Sequence, residues 1–244
     1  MAQTARLDPS GGSGRVRQPH DARSYFRLAL AIAAPIPMAA AAVSMFVFPF
    51  GLADEFDTRL QQAAEHPDAA AAYGWLLLPY AAFMLPAIVA VVVVVTYRGA
   101  PRLAAWGGTL TMVGTAIGFA MLPNDQVTAN LVVSENLDAT AVKAGLEAYH
   151  THLVVQVSVI VWLVALVIGL GILGVALWRS RAVPAWFGIA LLVGGPAHPF
   201  LPGNVGVGIG LLLAAVGFAG ASLALFRMSN DEFDLPPISA RRSS

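Results

Sequence analysis

Apolar and polar positions alternate along this chain in long blocks, not in the two-residue rhythm of a half-buried sheet. Six apolar runs stand out, at about 28–51, 73–96, 103–122, 153–177, 185–200 and 204–226. The fourth, Leu153 to Leu177, reads LVVQVSVIVWLVALVIGLGILGVAL and holds no charged residue in twenty-five positions. At about 1.5 Å per residue, a helix of that length exceeds the roughly 30 Å hydrocarbon layer of a bilayer. The pattern predicts an all-α integral membrane protein with six transmembrane helices. Pro35 and Pro37 in the first run, and Pro79 and Pro86 in the second, predict interruptions whose freed carbonyls need a partner from a neighbouring helix or water. Pro49 falls near the end of the first run. The fifth run is short and closes on PAHPFLPG, whose prolines force a turn.

The polar stretches complete the division of the chain. Residues 1–24 and 227–244 are polar and are expected to be cytoplasmic tails, the first of them disordered, on either side of a membrane domain at 25–226. Residues 52–72 and 123–149 form two long loops. In the first, Phe56, Leu60 and Ala63 share a helical face, which predicts a short helix at the membrane surface. In the second, Pro123, Asn124 and Asp125 read as a turn. Asp138 then reads as the N-cap of a helix whose apolar face carries Leu137, Ala141, Val142, Leu146 and Tyr149. Tyr73 and Trp75 mark the headgroup level at the start of the second run.

Composition agrees with the pattern and adds an orientation. The chain is 57% hydrophobic and 11% charged, with a mean hydropathy of +0.70, against about 25% charged in a soluble domain. A formal net charge of zero argues against a nucleic-acid partner, and the absence of cysteine excludes disulfides and thiolate metal sites. With the N-terminus inside, twelve arginines lie on inner segments, while Arg59 and Lys143 alone lie outside. The positive-inside rule thus places both termini in the cytoplasm, in a bacterial inner membrane.

Two stretches resemble one another. YRGAPRLAAWGG, a span and MLPND run parallel to WRSRAVPAWFG, a span and FLPGN, pairing Arg98 with Arg179, Trp106 with Trp186 and Pro123 with Pro202. Either the hairpins of spans 2–3 and 4–5 form a parallel repeat, or two hairpins meet the same turn and interface demands. The six spans, the long outer loops after the first and third, and the pattern RSRAVPAWFGIALLVGG also resemble an uncharacterised bacterial family of small six-span integral membrane proteins, a domain of unknown function. The resemblance covers most of residues 25–226 and implies the topology, with no activity or functional residue to carry over.

Candidate chemistry is sparse. No span holds Asp, Glu, Lys or Arg near its middle, which removes the usual apparatus of a proton pump, ion-coupled carrier or voltage sensor. His150, His152 and His198 gather at the outer ends of spans four and five and are candidate ligands for haem iron or a divalent metal. They are equally readable as interfacial histidines. His150 and His152 lie about 200° apart on a helix, so they converge only if Tyr149 to Thr151 is not helical. Gln156, Ser158, Thr111 and Thr115 sit at membrane depth, either as interhelical hydrogen-bonding groups or as the lining of a groove for an apolar ligand, opened by the prolines of the first two spans. Gly114 with Gly118, and Gly206 with Gly210, make small faces for close helix packing, within the chain or on a homo-oligomeric or membrane partner. Glu55, Asp57, Glu135 and Asp138 are outer carboxylates that could act on a lipid. The expected function is a multi-pass membrane protein without evident catalytic apparatus that binds an apolar small molecule or lipid, or serves as a membrane partner subunit. The alternatives are a haem or metal protein built on the outer histidines and an integral-membrane enzyme acting on a lipid or isoprenoid.

Overall fold

The structure, a computed structural model, describes residues 22–47, 55–121 and 124–233. The tail as far as residue 21, Pro49, Gly51, Leu122, Pro123 and the residues from 234 onward lie outside them. Every regular element among the described residues is helical. The apolar runs appear as α1 (Ala22–Ala33) and α2 (Ile36–Val47), α4 (Pro67–Tyr97), α5 (Pro101–Met121), α8 (Leu153–Ser180), α9 (Ala185–Ala197) and α10 (Gly203–Arg227). The polar connections fold into α3 (Phe56–Glu65), α6 (Asp125–Ser134) and α7 (Ala139–Thr151), and α11 (Asn230–Phe233) follows α10. Five helices, with α1 and α2 taken as one, are long and apolar enough to cross a membrane. The fifth run departs from that set. Its α9 has 13 residues, about 20 Å at 1.5 Å each, and a short 3₁₀ turn at His198–Phe200 finishes it.

Pro35 explains the break in the first run. It has no N–H to give to the carbonyl of Ala31, four residues earlier, and the helix stops at Ala33. The Ser222 hydroxyl of α10 donates to that carbonyl instead, at 2.6 Å, so a neighbouring helix supplies the missing bond. Pro79 and Pro86 behave differently from expectation, because α4 continues through both for 31 residues. Its N-terminus also begins at Pro67, well before Tyr73, since proline at the first helical position forfeits only an N–H that has no partner there.

Glycines set the order of the bundle. Along α5 and α8, Gly107 faces Leu173, Thr111 faces Gly169, Gly114 faces Leu166 and Gly118 faces Trp162, an antiparallel register held over three turns. A Cβ on Gly114 would lie 2.8 Å from the Leu166 nitrogen, so only glycine permits the approach. The seam continues from α8 to α9 at Gly174 and Leu192, and from α9 to α10 at Leu191 and Gly217. Gly208 of α10 then rests on Met45 and Phe46 of α2, α2 packs on α4, and α4 returns to α5 through Val92 and Gly108. The six apolar units form a closed ring of packed neighbours.

At one end of the ring the connections are short. Arg27 donates to the carbonyl of Leu225 at 2.7 Å, a side-chain donor added near the C-terminus of α10 to a carbonyl that also receives the Met228 N–H at 3.3 Å. Phe233 of α11 lies against Phe26 and Tyr97, Asn230 bonds Ser24, and Glu232 reaches Arg98 at 3.6 Å. The opposite end carries α3, α6 and α7.

Candidate functional site

The capping helices bring together three ionisable side chains from three elements. Arg59 of α3 gives a hydrogen bond to Oδ2 of Asp125 on α6 at 3.0 Å, and both side chains are largely buried, at 10% and 20% exposure. His150 of α7 places Nε2 at 3.3 Å from the other oxygen, Oδ1. The contact is not a hydrogen bond, and Oδ1 is a buried acceptor without one among the described residues. A buried acceptor in that condition costs about 1–3 kcal/mol unless something else donates to it.

Local sequence explains how these residues are held. Asn124 caps α6 by accepting from the Val127 N–H at 3.0 Å, which fixes Asp125 in the first turn. Asp138 caps α7 through the N–H groups of Thr140 and Ala141. The Tyr149 hydroxyl donates to the Met121 carbonyl at 2.9 Å and ties the end of α7 to the end of α5. Lys143 bonds Asp57 and joins α7 to α3. That bond, first among the causes, holds the lysine above its ordinary pKa.

Between these helices and α8 lies an open groove of about 560 Å³. Asp125, His150 and Gln156 make its polar end, and Val155, Val159, Ile160 and Trp162 make its apolar wall. The Trp162 ring is seated against Gly118 of α5, where a Cβ would come within 2.6 Å of it. Such a surface suits an amphiphile, with a polar group at the carboxylate and a hydrocarbon part along α8.

The other expected site residues are placed as follows. Tyr149 to Thr151 is helical, His152 is the break between α7 and α8, and His198 points its Nδ1 at the Gly195 carbonyl. The three histidines do not form a metal-binding group, and no such group of three or more His, Cys, Asp or Glu exists among the described residues. Of the four polar residues at membrane depth, only Gln156 lines the groove. Ser158 donates back to the Val154 carbonyl and Thr111 to that of Gly107, both at 2.7 Å, as helical hydroxyls do when turned on their own backbone. Thr115 is buried, and its hydroxyl has no partner among the described residues. The groove runs along α8, and none of the prolines of the first two apolar runs lines it. Gly210 packs on His198 and Leu201, and Gly206 on Leu201, so the chain itself covers that small face. Glu55 and Glu135 are exposed, Asp57 is engaged by Lys143 and Asp138 by its cap.

Sequence reading missed Arg59, Asp125 and Trp162. The available signal was local: Arg59 shares a helical face with Phe56 and Ala63, and it is the one cation in a loop with five acidic residues. A basic residue on the inward face of an otherwise acidic segment needs a carboxylate to meet.

The fold and groove define an all-helical protein whose long apolar helices fit a multi-pass membrane protein. No protein-family model, curated protein or solved structure matches the chain.

Proposed function

We propose that this protein is a multi-pass membrane protein that binds an amphiphilic, lipid-like molecule in the groove along α8. One observation carries the reading: an apolar wall of Val155, Val159, Ile160 and Trp162 leads to a buried carboxylate oxygen that nothing in the described chain donates to. A hydroxyl or protonated amine on the ligand would satisfy Oδ1 of Asp125 while its hydrocarbon part replaces bilayer lipid on the wall. In this reading α9 with its 3₁₀ turn completes a sixth span, its short length shielded by α8 and α10 on either side. Both termini face the cytoplasm of a bacterium, as the twelve-to-two bias of basic residues favours. Membership of the small six-span family belongs to the same proposal. A partner-subunit role has less support, because the small face at Gly206 and Gly210 is occupied by the chain's own turn.

The test is to purify the chain in mild detergent, extract what accompanies it and identify the amphiphiles by mass spectrometry. Val159→Trp fills the apolar wall and Gln156→Leu removes a polar group, both at exposed positions of α8. An amphiphile enriched with the wild type and depleted by Val159→Trp supports the reading. An identical complement from both would sink it.

A second reading, an enzyme acting on such a molecule, draws on the Asp125–His150 pair, since a carboxylate beside an imidazole can orient it as a general base. Turnover that survives both Asp125→Asn and His150→Gln would count against it.

A further inference from the structure

We infer a second binding site, at the opposite end of α8, for a phosphate-bearing anion such as the headgroup of an acidic phospholipid. A cavity of about 620 Å³ there is lined by Val175, Trp178, Arg179 and Arg181. Both guanidinium groups are exposed, and no carboxylate among the described residues lies within ion-pair reach of either. Of the neighbouring cations at the same end, Arg27 caps α10 and Arg98 meets Glu232, while Arg102 and Arg227 do not line the cavity. The two arginines therefore supply two positive charges to one cavity, where a phosphate could accept forked hydrogen bonds from both.

Two further features favour a lipid as the source of that phosphate. Exposed Trp106, Trp178 and Trp186 stand around the same end of the bundle, and indole rings prefer the headgroup level of a bilayer. Val175 sits one turn below Trp178 and offers the cavity an apolar floor on the side towards the membrane interior. Arg181 itself has a left-handed backbone, with φ of 51°, at the helix C-cap where glycine is the unstrained choice. Its side chain and that of Arg179 line the same cavity. The site lies 23 residues along α8 from Gln156, about 35 Å at 1.5 Å each, so it is separate from the groove.

Arg181 gives an informative variant, because Arg181→Gly removes the charge and suits the left-handed backbone. The full chain in a neutral detergent is titrated with phosphatidylglycerol, with phosphatidylcholine and with inorganic phosphate, and the melting temperature is followed. Phosphatidylglycerol is expected to raise it more than phosphatidylcholine does. Arg179→Gln with Arg181→Gly, which should melt normally without lipid, is expected to weaken phosphatidylglycerol binding by at least about tenfold, since one charge-assisted hydrogen bond already has that scale and both guanidinium groups are removed. A rise with inorganic phosphate alone, abolished by the same variant, keeps the anion site and makes free phosphate its source. Equal effects of the two lipids with none from phosphate, or a phosphatidylglycerol effect that survives the double variant, overturn the inference.

Discussion

The two halves of α8 are built differently, and the difference separates what holds this protein together from what it offers to others. From Ala165 to Ser180 the helix buries nine residues, among them Leu166, Leu170, Leu173 and Leu177, with Gly169 and Gly174 admitting α5 and α9 to backbone contact. From Leu153 to Val164 it buries only Val155, and Leu153 is 72% exposed against 2% for Leu166. Both halves are apolar, so hydropathy does not tell them apart. Glycine does: the first half has none, and from Leu153 to Val161 its bulky side chains, Ile160 among them, meet no glycine of a neighbouring helix, which leaves room for the groove. In a bilayer, close packing and not hydrophobicity drives helix association, so the position of the small residues decides which half is core.

Gly174→Ala is the strongest way to break that comparison. Its new methyl would lie 2.6 Å from the Leu192 Cα, a backbone atom of α9 that can yield only if the helices separate. A loss of about 3 kcal/mol is expected, at the upper end for overpacking. Gly74→Ala in α4 is the control, because its methyl meets nothing within 4 Å. There the helix preference of alanine should give a gain of about 0.5–1 kcal/mol. Unfolding midpoints of both variants in detergent check the pair. A Gly174→Ala protein as stable as the control would show that the seam does not hold α8.

Arg59→Met tests the other half. It leaves the Asp125 carboxylate beside His150 alone, and removing one member of a buried pair is costly because the remaining charge stays behind. Because Asp125 keeps some exposure, about 2 kcal/mol is expected, less than for a fully enclosed pair. Adding Asp125→Asn should recover part of it, since the stranded charge is then gone. The comparison sharpens if proteinase K, which needs no basic residue, cuts more readily near α3 and α6 in the Arg59→Met protein while the α8–α9–α10 seam stays protected.

Much of this architecture is legible in the sequence. The six apolar runs locate α1 with α2, then α4, α5, α8, α9 and α10, and Asp138 marks the start of α7, because run length and capping are local properties. Pro35 announces a freed carbonyl but cannot name Ser222, 191 residues away, as its donor. The α6 helix escapes notice because DQVTANLVVS mixes polar and apolar positions and its cap, Asn124, equally suits a turn. The groove along α8 is the least legible part. It depends on Arg59, Asp125 and His150 meeting from three helices, and spacing along one chain does not encode that meeting. Histidines near each other in sequence suggested a metal group, yet the end of α7 at Thr151 sends His150 to Asp125 and leaves His152 at the break. Small-residue spacing likewise shows that a face can pack closely without showing that Leu201 of the same chain will cover it.

The gentlest test uses pH on the clasp between α7 and α3. Asp57 holds the Lys143 ammonium above its ordinary pKa of 10.5, so the bonded, charged form is favoured in the folded protein. For a raised pKa the contribution to stability is complete below 10.5 and is lost as pH climbs beyond it through the folded value. Both partners are exposed, so the fold should survive, and the expected change is confined to the helix leading into the open half of α8. The chain has no cysteine, and Gly145 on α7 faces open space, so Gly145→Cys accepts a spin label without competition or crowding. Label mobility should rise as pH climbs past 10.5, and Lys143→Met should show the higher mobility already at neutral pH. A label at exposed Leu212 on α10, outside the clasp, should not change. If mobility at position 145 is flat through that climb, or rises equally at 212, the clasp does not govern α7. The free half of α8 would then owe its exposure to the absence of glycine alone.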